Sequence, residues 1–340
     1  MNAQPQPQTD NGRFVSRGSA HLSIRPVETP RDFHFLLLRG MTMLAFSSAV
    51  EPLRIANQLT GRCLYRWFLQ SEDGQPVRCS NGIAIPVDSA IAPVQREDTA
   101  FICSGVDGYL AASPRALAWL RDHARHGGTV GGLCTGAFSL ARAGLLEKSG
   151  FTIHWEVNAT FSEHFPELPP ADALYVHHKR VLTCGGGNAA VDMMTALIAA
   201  DHGAALAQMV SDMCLHGRSR IADDRQRVSL AATYQTRHPV LLRIIRQMTQ
   251  ERADEFSLAA ILDAERISRR QVERLFNDHI GTSPAKFLRR IRLDRAHGLM
   301  SETDMTLTEI AFASGFNSLA AFRKAWSARH GALPRYRHRS

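Results

Sequence analysis

The chain has 340 residues, enough for two or three domains with cores of their own. Hydrophobic residues make up 44% and charged residues 21%, an ordinary globular balance, and no run of about 18 uncharged apolar residues is present to cross a membrane as a helix. The net charge of +8 is confined to one end: residues 1–236 hold 21 Lys+Arg and 21 Asp+Glu, whereas residues 237–340 hold 19 and 11. The C-terminal part is therefore the one suited to a polyanion.

The opening stretch MNAQPQPQTDNGR is rich in Gln, Pro and Asn, with no apolar segment behind a basic one. A disordered tail over residues 1–20 and a cytoplasmic location are expected. The six cysteines (Cys63, Cys79, Cys103, Cys134, Cys184, Cys214) include no two closer than 16 residues, which removes the CxxC pairs of zinc and redox sites. They read as reduced thiols, mostly in the core. His177-His178 has no Cys or carboxylate close by in sequence, so neither a metal nor a cofactor is expected.

Over residues 21–217 strand-like apolar runs alternate with helical ones. FHFLLL (33–38) reads as a buried strand and Ser48 to Leu59 as a helix. DTAFIC (98–103) precedes a helix from Ser113 to His126, and GTVGGLC (128–134) leads into the helix TGAFSLARAGLL. FTI (151–153) is strand-like, and RVLTCG leads into the helix NAAVDMMTALIAADHG. Such alternation predicts an α/β domain with a mostly parallel sheet covered on both faces.

The sharpest local signal is Gly131-Gly132-Leu133-Cys134-Thr135-Gly136, a strand ending at a cysteine and then a small-residue turn into a helix. That is the pattern of a nucleophile elbow, and a thiol at a helix N-terminus is shifted toward thiolate. His154, Trp155 and Glu156 follow FTI. An indole face and a carboxylate suit a cationic or quaternary ammonium ligand; a core Trp beside a solvated Glu is the other reading, and both stay open here. Gly185-Gly186-Gly187 lacks the GxGxxG spacing and is read as close strand-to-helix packing.

Several of these features resemble the class I glutamine amidotransferase-like superfamily, in its PfpI and isocyanide hydratase branch, over about residues 33–217. The resemblance is carried by the Cys134-Thr135-Gly136 elbow, Ala141-x-Ala143-Gly144-Leu145-Leu146, Ile153-His154-Trp155, Phe165-Pro166, Gly185 to Asp192, and Asp201-His202-Gly203. It implies a flavodoxin-like doubly wound parallel sheet with an effector pocket at the former catalytic site, formed by Cys134, Thr135, His154, Trp155 and Glu156. PfpI-type proteases carry His directly after the cysteine, where Thr135 stands. The Asp or Glu that faces the thiol in the superfamily falls on Ala45, by alignment through Glu51-Pro52-Leu53. Catalysis needs an orienting acid or base, so no enzyme activity is expected. The rival reading is a cysteine-dependent hydrolase or hydratase with an attached DNA-binding module.

Residues 218–237 are polar and basic and read as a linker. Beyond them, residues 238–340 contain an internal repeat. Ser257-Leu258-x-x-Ile261-x-x-Ala264-x-Arg266-Ile267 matches Thr306-Leu307-x-x-Ile310-x-x-Ala313-x-Gly315-Phe316, and after one inserted residue Ser268, Val272, Phe276, Gly281 and Pro284 match Ser318, Phe322, Trp326, Gly331 and Pro334. Each copy reads as a capped helix, a tight turn and a second capped helix, the plan of a helix-turn-helix. The first recognition helix would present Arg269, Arg270, Glu273 and Arg274 outward, and the second Leu319, Ala320, Arg323 and Lys324. A helix from Ser283-Pro284 to about Met300 would space them.

Pro284-x-x-Phe287-x-x-x-x-Arg292-Leu293-x-x-Ala296, Ile310-Ala311-Phe312-x-x-Gly315-Phe316, and Phe322 with Trp326 resemble the DNA-binding domain of AraC/XylS-type regulators over residues 238–338. Arg266 stands where that family usually has glycine, at a cost on the order of 1 kcal/mol if φ is positive. The joined architecture resembles GlxA-type regulators, close to those controlling carnitine, glycine betaine or arginine catabolism. The resemblance implies a transcription regulator that binds double-stranded promoter or operator DNA and a small amine- or amino-acid-derived effector. It further implies activation through RNA polymerase and a homodimer.

Overall fold

The computed structural model describes residues 11–24, 29–148, 150–216, 222, 224, 226, 230–234, 236–250 and 258–331. The chain divides into two units, Met1–Asn158 with Phe165–Gln226, and Ala159–His164 with Arg227–Ser340. The boundary between Gln226 and Arg227 falls inside the segment read as a linker, half of which lies outside the described residues. Residues 1–10 of the expected tail also lie outside them. Asn11–Phe14 form a short 3-10 turn, with Phe14 packed edge-on against Trp67 and Phe68.

The first unit grows from β1 (Arg31–Leu37), where Phe33, Phe35, Leu36 and Leu37 are all buried. A strand apolar on both faces requires cover on both sides. There follow α1 (Met43–Thr60), β2 (Tyr65–Ser71), β3 (Val77–Arg78), β4 (Ala84–Ile85), β5 (Ser89–Ala90), β6 (Thr99–Cys103), α2 (Pro114–Arg125), β7 (Thr129–Leu133) and α3 (Ala137–Arg142). The unit continues with β8 (Tyr175–His178), β9 (Val181–Cys184), α5 (Ala189–His202) and α6 (Ala204–Met213), while α4 (Asn158–His164) crosses the division between units. The sheet runs β5-β2-β1-β6-β7-β9-β8, parallel throughout except for the antiparallel edge strand β8. Its parallel core β2-β1-β6-β7-β9 has the flavodoxin-like order, as the sequence implied. One face packs against Leu53, Leu59, Met193, Met194 and Leu206 of α1, α5 and α6, and the other against Leu117, Leu120 and Leu140 of α2 and α3.

Three elements differ from the sequence reading for local reasons. Helix α1 starts five residues before Ser48, which is buried within it; Ser47 donates its hydroxyl back to the Met43 carbonyl at 3.0 Å. Helix α3 stops at Arg142 because Gly144 takes a left-handed φ of 71° and the Leu145 N–H turns back to the Leu140 carbonyl at 2.9 Å. Phe151–Ile153 is a buried arch, not a strand: the Thr152 N–H bonds to the Thr183 hydroxyl at 2.9 Å in place of a strand partner.

The second unit is helical: α7 (Leu230–Thr233), α8 (Pro239–Gln250), α9 (Leu258–Glu265), α10 (Arg269–Ile280), α11 (Pro284–Glu302), α12 (Leu307–Ala313) and α13 (Leu319–His330). It holds two hydrophobic clusters. Leu241, Ile244, Ile245, Ile261, Val272, Phe276 and Phe287 form one, and Leu293, Ala296, Leu299, Ile310, Phe316, Phe322 and Trp326 the other. Helix α11 contributes its first half to one cluster and its second half to the other. Its 19 residues span about 28 Å.

The repeat is also visible in the backbone. Arg266 has φ 50° where its counterpart Gly315 has φ 81°. A side chain in the left-handed region costs roughly 1–2 kcal/mol, partly offset by the greater unfolded-state freedom of glycine. Arg266→Gly is therefore expected to stabilise the helical unit by about 0.5–1 kcal/mol and raise its calorimetric Tm by roughly 2–6 °C. A lowered Tm would show that the Arg266 side chain contributes more than its backbone costs.

Candidate functional site: a thiol elbow and two recognition helices

In a doubly wound sheet, ligands bind where connections leave neighbouring strands toward opposite faces. Here that point lies between β1 and β6, whose following segments are stitched together by Thr42 N–H to Ser104 O (3.3 Å) and a bridge between Met41 and Gly105. Cys134 stands one strand along, just past β7, with φ 59°. A non-glycine residue held there stores on the order of 1–3 kcal/mol, the strain of a nucleophile elbow. The turn closes so tightly that a Cβ on Gly136 would lie 2.8 Å from the Ile102 carbonyl oxygen.

Cys134 is only 6% exposed, and its Sγ lies 3.5 Å from the Thr42 hydroxyl. The group meeting the thiol from the β1–α1 connection is thus a hydroxyl, while Ala45 is buried in α1 with no titratable group. Thr135 is buried and donates its hydroxyl to the Gly105 carbonyl at 2.7 Å, with the Ser104 hydroxyl at 3.0 Å. It braces the β6–α2 connection. His154 donates its backbone N–H to the Cys134 carbonyl at 3.2 Å, which ties the next loop to the elbow. Its imidazole Nδ1 accepts from the Glu156 N–H at 3.4 Å and lies 3.8 Å from the Glu156 carboxylate.

Trp155 is 44% exposed, so it is not a core residue, and its ring centre lies 5.5 Å from that of His154. Glu156 is solvated. Two further apolar side chains stand exposed on the neighbouring connections: Leu44 at the start of α1 and Val106 after β6. Thr42, Leu44 and Val106 carry no motif. Their only sequence signal is position, a few residues beyond the ends of two strands that border the topological switch. A groove of about 590 Å³ lined by Ala118, Arg121, Asp122, Ala124, Arg125, Ala143 and Leu145 lies on the α2–α3 face and includes none of these residues.

Burial raises the Cys63, Cys79, Cys103 and Cys214 thiols above their ordinary value and pushes Cys184 up to about 12, so these five are packing groups. Among the described residues, no group of three His, Cys, Asp or Glu side chains is placed to hold a metal, and no helix is long and apolar enough to cross a membrane.

In the helical unit, α10 opens with a capping box: Ser268 Oγ accepts from Gln271 N–H and Gln271 Oε1 accepts from Ser268 N–H at 2.8 Å. Val272 and Phe276 are buried, Leu275 half-buried; Arg269, Arg270 and Arg274 are exposed and Glu273 is half-buried. Helix α13 starts from Ser318, whose Oγ accepts from Ala321 N–H at 3.1 Å. Phe322 and Trp326 are buried, Ala320, Arg323 and Lys324 exposed, and Leu319 half-buried. The scaffold helix α12 has its own box between Thr306 and Glu309. Both boxes are legible in sequence as S-x-x-Q and T-x-x-E; the matching Ser257 lies outside the described residues. Arg329 of α13 pairs with Asp294 of α11 at 2.7 Å and donates to the Arg290 carbonyl at 3.1 Å, fixing the second recognition helix to the spacer.

Residues 49–200 match the DJ-1/PfpI family and residues 261–339 the helix-turn-helix domain family. The chain is 40% identical over 306 residues to the HTH-type transcriptional regulator CdhR of Pseudomonas aeruginosa, an alignment covering 89% of this chain and 90% of that one. The protein is a GlxA-type AraC-family transcriptional regulator. Similarity to the HTH-type transcriptional regulator GlxA of Rhizobium meliloti, at 37% identity, covers 88% of this chain and 94% of that relative. A solved AraC-family regulator from Pseudomonas putida is 28% identical over 54% of this chain and all of that one, with a TM-score of 0.49. As a member of this family it is a DNA-binding transcription regulator.

His154 offers a local probe of the elbow loop. Burial holds its imidazole below the ordinary 6.5, and the Glu156 carboxylate pulls it part of the way back. With the folded pKa depressed, the stability that depends on neutral His154 is present above 6.5 and is lost as pH falls through the folded value. Titration of the ring by NMR is expected to give a midpoint below 6.5, and Glu156→Gln to lower it further. A midpoint above 6.5 would mean that the ring is solvated and the loop differently placed.

Proposed function

We propose that the α/β unit is a non-catalytic sensor of a small amine- or amino-acid-derived metabolite, and that the helical unit grips two successive major-groove faces of promoter or operator DNA through α10 and α13. The protein works in the cytoplasm, as a homodimer that activates transcription through contact with RNA polymerase. The observation that carries the DNA reading is the pair of capped helices on one shared spacer, each burying an apolar stripe and exposing a polar or basic one. Arg269, Arg270 and Arg274 suit guanine edges and phosphates, with Glu273 able to accept from cytosine amino groups. Ala320 permits close approach to the groove and to thymine methyls, flanked by Arg323 and Lys324 at the backbone.

The sensor reading is supported by the strained elbow one strand from the switch point of the sheet, by the exposed apolar side chains of Leu44, Val106 and Trp155 on loops near it in the fold order, and by the solvated Glu156. An exposed indole beside a carboxylate suits a quaternary ammonium or other cationic headgroup. Against catalysis stand the hydroxyl of Thr42 at the thiol, the apolar Ala45 and the structural engagement of Thr135. Effector binding acts by linkage: a ligand that prefers one arrangement of the chain shifts the population that binds DNA.

A thermal-shift screen of amino acids, betaines and polyamines tests the sensor. A true effector at 100 times its Kd stabilises the native state by about 2.7 kcal/mol and also changes operator affinity at fixed salt. Cys134→Ser is expected to keep that response; its loss together with loss of a turnover activity would establish an enzyme.

The DNA contacts separate by kind. Arg270→Ala is expected to weaken operator binding by about 1–3 kcal/mol and relax sequence preference, whereas Lys324→Ala should weaken all sequences alike and reduce the salt slope by about one. Electrophoretic titration at several salt concentrations distinguishes them, and equal affinity of both variants with the parent would overturn the assignment of α10 and α13.

A further inference from the structure

Gln226, the last residue of the first unit, inserts its side-chain amide into a cradle of backbone. Its Oε1 accepts from the Trp155 N–H at 2.9 Å, and its Nε2 donates toward the Ile153 carbonyl (2.8 Å), the Ala173 carbonyl (2.9 Å) and the Thr152 hydroxyl (3.0 Å). The floor of the cradle is Gly185, where a Cβ would fall 2.4 Å from the amide carbon, and its three nearest neighbours are all atoms of Gln226. Gly185 is outside the left-handed region, so the Gln226 amide is what its missing side chain makes room for. Four residues earlier, the Ala222 carbonyl accepts from the Leu174 N–H at 3.0 Å and lays the same segment along the unit.

The cradle is one residue removed from the elbow. His154 bonds Cys134 through its N–H, and the next N–H, that of Trp155, bonds Gln226. The next residue after Gln226, Arg227, begins the DNA-binding unit. A single amide therefore joins the loop that bears Trp155 to the chain that tethers the recognition helices. The segment is polar and weakly periodic, and the bonds of this amide together with that of the Ala222 carbonyl seat it on the unit.

We propose that Gln226 is a latch that couples seating of the linker to the position of the 152–155 loop beside the elbow. It is a positioning residue, and its regulatory meaning rests on the sensor reading given above. Displacing the Trp155 backbone releases the linker, and unseating the linker frees the loop, because the two share the same hydrogen bonds.

Full-length variants and limited trypsin digestion test this without any ligand. The linker sequence offers Arg218, Arg220, Arg225 and Arg227 as trypsin sites, and the rate of cleavage there, followed by mass spectrometry and compared between variants, is the readout. Trp155→Pro removes the N–H that Gln226 accepts while suiting the first position of the 3-10 turn, since His154 already holds ψ 130°. Trp155→Ala removes the indole and keeps the N–H. Linker cleavage is expected to be about fivefold faster in Trp155→Pro than in Trp155→Ala, the effect of losing one hydrogen bond beyond the loss of the indole. Gly185→Ala is expected to quicken it as well, by expelling the amide, yet to add nothing in a Gln226→Gly background.

Parent-like cleavage of Trp155→Pro, equal cleavage of Trp155→Pro and Trp155→Ala, or an additive Gly185→Ala effect would each overturn the latch. Should Trp155→Pro lose the melting transition of the α/β unit, the Gly185→Ala and Gln226→Gly pair decides alone. A coupled loop and linker in a protein that responds to no ligand would sink the sensor reading and leave the latch standing; uncoupled variants in a ligand-responsive protein would do the reverse.

Discussion

Helix α11 belongs to two hydrophobic cores at once, and the geometry of the helical unit depends on that sharing. Phe287 enters the cluster beneath α10; Leu293, Ala296 and Leu299 enter the one beneath α13. Neither helix-turn-helix copy has enough apolar surface to fold as an isolated hairpin of short helices, since α9 has eight residues and α12 seven. Each is completed by half of α11. The spacing of the two recognition helices is thereby set by the rise of one rigid helix, about 28 Å, against the ~34 Å turn of a duplex. Arg329, bonded to Asp294 and to the Arg290 carbonyl, holds the far end in register.

The α/β unit sets a strained cysteine elbow into a flavodoxin-like sheet. The elbow is strained at Cys134, turns tightly at Gly136 and lies one strand from the topological switch. The Thr42 hydroxyl meets the thiol, while Ala45 and Thr135 occupy the positions at which the superfamily resemblance would place an acid and a base. The elbow is tied to the next loop by the His154 N–H on the Cys134 carbonyl, and that loop to the Gln226 side-chain amide by the Trp155 N–H.

Much of this is legible in sequence, and the remainder is hidden for identifiable reasons. The helix-turn-helix copies are readable because Val272 with Phe276 and Phe322 with Trp326 repeat at helical spacing, and because serine caps mark both recognition helices. The elbow is readable because small residues follow a strand-ending cysteine. Thr42 is not, since it reaches Cys134 across 92 residues through the order of strands in the sheet. Strand β2 is obscured by Arg66 and Gln70, the first of which is neutralised by Asp32 on β1 at 2.6 Å. Gln226 leaves no pattern at all: its partners are three backbone groups and one threonine hydroxyl, distant in sequence and without a signature. Trp155 could be read either way until its exposure was known.

Two recognition helices that engage one face of the duplex at adjacent turns, as proposed, leave a paired footprint on DNA. It can be read by guanine-methylation interference on a duplex selected by the full-length protein from random sequence. Two major-groove patches centred about 10 base pairs apart are expected for each protomer, the one under α13 weaker in guanine contacts because α13 presents Ala320 where α10 presents arginine. A single patch per protomer, or two on opposite faces of the helix, would contradict it.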